Sequence, residues 1–71
     1  MQQIQRKLGE RIRKLRSRKG WSQEEFAAVS GLHRTYIGAV ERGEKNLTLS
    51  TVHILAKTLN TSIAQLFRGI A

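Results

Sequence analysis

The side chains able to do chemistry in this 71-residue chain are few in kind. Cysteine and aspartate are absent, and the two histidines, His33 and His53, are far apart in sequence. Metal-ligand clusters, thiolate nucleophiles and Asp-containing triads therefore lack their raw material, and neither catalysis nor a cofactor nor a small-molecule ligand is expected. What is abundant is positive charge: thirteen lysines and arginines stand against five glutamates, a net charge of +8. That balance suits a polyanionic partner such as nucleic acid or an anionic membrane surface. Among the cations, Arg34 has the most informative neighbours, because Thr35, Gly38, Ala39 and Arg42 follow it closely. An arginine fork at the start of a helix fits guanine O6 and N7, and a threonine can bond a base or offer its methyl to thymine. The plainer duty for Arg34 is phosphate neutralisation, since phosphate contacts outnumber base contacts.

The elements that must hold these residues read as helices throughout. A chain of this length, 39 % apolar and without proline, has room for one compact helical domain over residues 1–71. In the first helix Ile4, Leu8, Ile12 and Leu15 fall on a stripe roughly 80° wide, and the basic residues surround it as a solvated, field-generating surface. Gly20 closes that helix. Ser22 then caps a second, Gln23 to Val29, with Glu25 completing a capping box, and Ser30-Gly31-Leu32 forms a turn. The third helix runs from Arg34 to about Arg42 and stops at Gly43, with Ile37 and Val40 inward and Thr35, Gly38, Ala39 and Arg42 outward. Thr48 caps a fourth whose Leu49, Val52, Leu55, Ala56 and Leu59 form a stripe about 120° wide, with His53 beside it as a partly buried structural residue. Ser62, with Gln65 three positions on, opens a fifth carrying Ile63, Leu66 and Phe67. No apolar run approaches the roughly 20 residues of a membrane span, and the N-terminus has no apolar secretory signal, so a cytosolic location is expected.

Two short helices joined by a glycine-containing turn, Gln23 to Arg42, match the helix-turn-helix layout in which the second helix enters the DNA major groove. Gln23 opens the unit, Phe26 and Ala27 face the partner helix, Gly31 sits in the turn, and Leu32, Ile37 and Val40 complete a small core. On the segments "WSQEEFA", "SGL", "YIGAVERG" and "TLSTVHILAKTL" the chain resembles the phage-repressor, or Xre, type of helix-turn-helix domain from Arg16 to Phe67. Within that family "LHRTYIGAVERGEKNLTL" is most similar to the controller proteins of restriction-modification systems. The resemblance implies an all-α, five-helix, repressor-like fold. It also implies a homodimeric transcription regulator of the bacterial cytoplasm and nucleoid, with one recognition helix per subunit in successive major grooves of a palindromic double-stranded operator.

Carried onto this sequence, the base-contacting set is Arg34, Thr35, Gly38, Ala39 and Arg42. Gly38 and Ala39 are small either to let DNA approach or because that surface tolerates small residues. Gln23, backed by free helix N–H groups, would hold a phosphate oxygen as its counterpart does in the family, or serve only to open the helix. Lys45 and Asn46 would clamp the far side of the groove, although alone they pass for a solvated loop. Tyr36 would bond a phosphate through its hydroxyl or act purely in packing. His33 stands at an N-cap where related proteins carry Asp or Ser, so its imidazole is either a weak cap or a phosphate donor. Arg16 and Glu41 each lie near an apolar stripe, and in the family these positions form a buried ion pair.

An apolar surplus remains: Ile54 lies nearly opposite the fourth helix's stripe, and Ile63, Leu66, Phe67 and Ile70 crowd the end of the chain. A dimer interface through the last two helices would cover all five, while the alternative for Phe67 is completion of the monomer core. A phage-type repressor or an antitoxin shares the same domain, and a protein-interaction adaptor is the rival outside DNA binding. A membrane-surface helix is disfavoured, because charge encircles the narrow stripe of the first helix.

Overall fold

In a computed structural model, which describes residues 2–70, five helices follow one another: α1 (Gln2–Arg18), α2 (Gln23–Ser30), α3 (Arg34–Glu41), α4 (Leu49–Thr58) and α5 (Ile63–Leu66). There is no strand among the described residues. Local chemistry sets the ends. Ser22 accepts from the Glu25 N–H while the Glu25 carboxylate accepts from the Ser22 N–H, the two halves of a capping box. Thr48 and Ser62 cap α4 and α5 through their hydroxyl oxygens. At the other end of α3, Gly43 takes φ +76°, its N–H donates to the Val40 carbonyl, and the Glu44 N–H donates to the Ala39 carbonyl. That pair of bonds is a Schellman turn, which satisfies two orphan carbonyls and reverses the chain. Asn60, at φ +57°, closes α4 in the same way.

Leu8 and Ile12 of α1, Phe26 of α2, Ile37 and Val40 of α3, and Val52, Leu55 and Ala56 of α4 bury together. Trp21 stacks on Phe26 at 6.0 Å between ring centroids and seals one edge. α1 comes close enough to α3 that no Cβ fits on Gly9: it would sit 2.4 Å from the Val40 carbonyl oxygen and 2.7 Å from that of Glu41.

Several expectations are corrected by what covers each face. Leu66 and Ile70, expected at a dimer surface, are buried in the monomer core. After α5 the chain turns back beneath α1, and the Arg11 guanidinium clasps that return, donating to the carbonyls of Gln65 at 3.0 Å and Arg68 at 2.9 Å. Phe67 is half-buried against the same core. Leu49, expected inside, is 82 % exposed, because it is the first residue of α4 and no element reaches over that turn. Ile4 and His53 are exposed as well: α1, at about 1.5 Å per residue, outruns the core, and His53 turns off the buried face of α4. α2 runs one residue further than expected, to Ser30, and α3 ends at Glu41 with Arg42 as its C-cap.

Candidate nucleic-acid interface

The face of the α2–α3 unit away from the core is an open groove of about 480 Å³, lined by Ser22, Gln23, Glu24, Arg34, Thr35, Gly38 and Arg42, with Arg16 at its floor. Its base is a partly buried network centred on the buried Glu41. Arg16 donates from Nε to Glu41 Oε2 at 2.7 Å, from Nη2 to Glu41 Oε1 at 3.0 Å, and from Nη1 to the Trp21 carbonyl at 2.7 Å. The two side chains are only 12 % and 3 % exposed. The hydrogen bond to Glu41 holds the Arg16 guanidinium above its ordinary pKa against the opposing effect of burial. Gln23 joins in, its Nε2 donating to Glu41 Oε1 at 3.0 Å. One of its amide hydrogens is thus committed inward, and the other and its carbonyl remain toward the groove.

Arg34 and Thr35 form the first turn of α3, both exposed. Arg34 Nη1 stands 3.5 Å from Glu24 Oε1 on α2, across the groove mouth. His33 precedes them and is a working N-cap: its Nδ1 accepts from the Thr35 N–H at 3.1 Å. The ring is therefore the tautomer with its proton on Nε2, which stays available as a donor.

Ala39 departs from the outward face expected of it, whereas Gly38 lies on the groove as expected. Ala39 is buried, and its carbonyl accepts from the Glu44 N–H in the Schellman turn. Gly38 is covered by side chains instead of lying bare: a Cβ there would be 3.2 Å from Arg42 Nη1 and 3.6 Å from Gln23 Oε1. A mid-helix glycine costs about 1 kcal/mol relative to alanine, and seating these two side chains gives it a local reason. Arg42 itself is held by Glu44, Nε to Oε2 at 2.9 Å and Nη2 to Oε1 at 3.1 Å. Glu44 is not among the site residues expected from the sequence. Its signal is the order Arg42-Gly43-Glu44, since a glycine just past a helix end implies a reversal that brings its neighbours together.

Lys45 and Asn46 are exposed in the loop beyond α3, where Asn46 Oδ1 accepts from Gln5 Nε2 and so ties the loop to α1. A Cβ on Gly43 would lie 2.7 Å from the Arg6 Cα, so α1 also presses on the loop's first turn. Tyr36 is half-buried against the core. Ile54 and Ile63 remain 37 % and 38 % exposed. No cluster of metal-ligating side chains exists among the described residues, and none of their helices is long and apolar enough to cross a membrane.

Comparison with known proteins agrees with this geometry. The helix-turn-helix family profile HTH_3 matches residues 12–66. Control protein C.SmaI of Serratia marcescens is 59 % identical over 83 % of this chain and 70 % of its own length. Control protein C.MunI of a Mycoplasma species is 35 % identical over 99 % of this chain and 96 % of its own. Among solved structures, the restriction-modification controller protein C.AhdI of Aeromonas hydrophila superposes with a TM-score of 0.83 at 47 % identity, covering 87 % of this chain and 94 % of that one. The controller protein C.Esp1396I, solved as a tetramer with its natural 35 base-pair operator, gives a TM-score of 0.83 at 36 % identity, covering 94 % and 88 %.

Proposed function

The chain belongs to the HTH_3 helix-turn-helix family, and from that premise we propose that it is a sequence-specific transcription regulator: a controller protein of a restriction-modification system. It acts as a single domain, pairs as a homodimer on a palindromic operator, and works in the cytoplasm without catalysis or cofactor. The observation that carries this reading is the groove on α3, where Arg34, Thr35 and Arg42 stand exposed between the N-terminus of α2 and the loop that carries Lys45. Its likeness to C.SmaI and to the operator-bound C.Esp1396I supports the narrower role.

Arg34, Thr35 and Arg42 face base edges, while Gln23, His33 Nε2, Tyr36, Lys45 and Asn46 hold phosphates on either side. Ile54, Ile63 and the outer side of Phe67 pair the subunits, setting two recognition helices about 34 Å apart. Selection of binding sites from random duplex DNA with the purified protein tests the reading: a palindromic consensus is expected, and its absence overturns it. For the pairing, Ile54→Lys is expected to sediment as a folded monomer at micromolar concentration where the wild type is a dimer. A mutant that stays dimeric removes Ile54 from the interface.

A further inference from the structure

Arg42 is held in one orientation by three local features. The Schellman turn at Gly43 brings Glu44 back beside it, and the carboxylate then takes two parallel bonds, from Nε and Nη2, along one edge of the guanidinium. The bare Cα of Gly38 lets the group lie along α3, with Nη1 3.2 Å from the point a Cβ would occupy and the Gln23 amide alongside. With that edge engaged, the Nη1–Nη2 edge remains free, presenting two parallel N–H donors on the same groove that Arg34 and Thr35 line. Two parallel donors match the O6 and N7 acceptors of guanine.

Charge adds a second consequence. The hydrogen bond from Arg42 keeps the Glu44 carboxyl below its ordinary pKa, and the same bond keeps the guanidinium above its own, so the pair stays ionised and nearly neutral as a unit. A neutral unit gains little from the phosphate field that draws lone cations to any DNA sequence. It gains most from an acceptor pair set where its fixed fork points, because a group ordered beforehand loses less freedom on binding.

We propose that Glu44 is a specificity-determining positioning residue: together with the missing side chain at Gly38 it sets Arg42 to read one guanine in each half-site, and it cancels the attraction Arg42 alone would have for phosphate. This rests on the regulator reading above. The rival account is that Glu44 merely repels DNA, in which case its removal strengthens binding to every sequence alike.

The test uses the full chain and two duplexes of equal length, the palindrome selected by the wild type and a scrambled version, with dissociation constants measured across a salt series. Glu44→Gln is expected to bind the scrambled duplex more tightly and with a steeper salt dependence, while the ratio of scrambled to palindrome Kd falls roughly tenfold, the loss of one well-aligned bidentate contact. Gly38→Ala is expected to lower that ratio while melting no lower than wild type, since the atom it displaces is the tip of a flexible side chain. Both losses should vanish in an Arg42→Ala background. The proposal is overturned if Glu44→Gln tightens both duplexes by the same factor, or if the ratio falls equally without Arg42. Equal binding of the two duplexes by the wild type instead overturns the regulator reading, and the inference with it.

Discussion

Two arginine–glutamate pairs flank the C-terminal half of α3, Arg16 with Glu41 and Arg42 with Glu44, and both use two nearly parallel hydrogen bonds. Their surroundings differ. The first joins α1 to α3 with its glutamate side chain 3 % exposed, whereas the second lies within one turn of chain at 59 % and 56 % exposure. Burial turns the same chemistry to different ends. Inside, each charge depends on its partner because water cannot replace it, so the pair holds two helices in place. In the groove, water screens the attraction, and what survives is orientation.

Breaking the inner pair should therefore have the largest effect. Glu41→Ala leaves Arg16 buried without its carboxylate and is expected to cost about 3 to 5 kcal/mol, enough to unfold most of a domain this small. Denaturant melts check it, and a barely shifted midpoint would show that the pair is not structural. Gly9→Ala attacks the same pair from the backbone: its Cβ would strike the Val40 and Glu41 carbonyls, and helix α1 must move away. A loss of about 1 to 3 kcal/mol is expected, as for other overpacked sites. If the stability is unchanged, the close approach that brings Arg16 to Glu41 is unnecessary.

On the groove side the readout moves from stability to DNA. Arg34→Ala is expected to lose about 1 to 3 kcal/mol on the selected palindrome and to relax one base position per half-site, whereas Lys45→Ala should weaken all sequences alike and flatten the salt slope by roughly one. Equal losses on specific and scrambled duplexes for both variants would remove Arg34 from base reading. The smallest effect belongs to the outer pair. Because Glu44 is held below its ordinary pKa, whatever the pair contributes is complete above the ordinary carboxylate range and is lost only as pH falls through the lowered value. Carboxyl titration by NMR should find Glu44 below its ordinary carboxylate value and shifted upward by Arg42→Ala, with no measurable change in Tm.

Much of this arrangement was legible beforehand where its signals are local. The capping box at Ser22 and Glu25, the caps at Thr48 and Ser62, and the glycine stops at Gly20 and Gly43 involve residues a few positions apart, so the sequence holds both partners of each bond. The apolar stripe of α3 and the pairing of Arg16 with Glu41 were readable from helical periodicity and family resemblance. Ala39 was misplaced because an angle around a helix axis cannot show how the rest of the fold covers that face.

What the sequence by itself determined, then, is the caps and stops that bound the helices to within a residue or so, the apolar stripe each carries, and that α2 and α3 form a helix-turn-helix. Only the tertiary structure decided what lies against those faces. It buried Leu66 and Ile70 under α1 through an arginine clasp made by Arg11, left Leu49 in solvent, and required a glycine at position 9 where two backbones meet. The reason is physical: periodicity is a property of one helix, but burial is a property of two surfaces, and residues more than 50 positions apart are brought together only by folding.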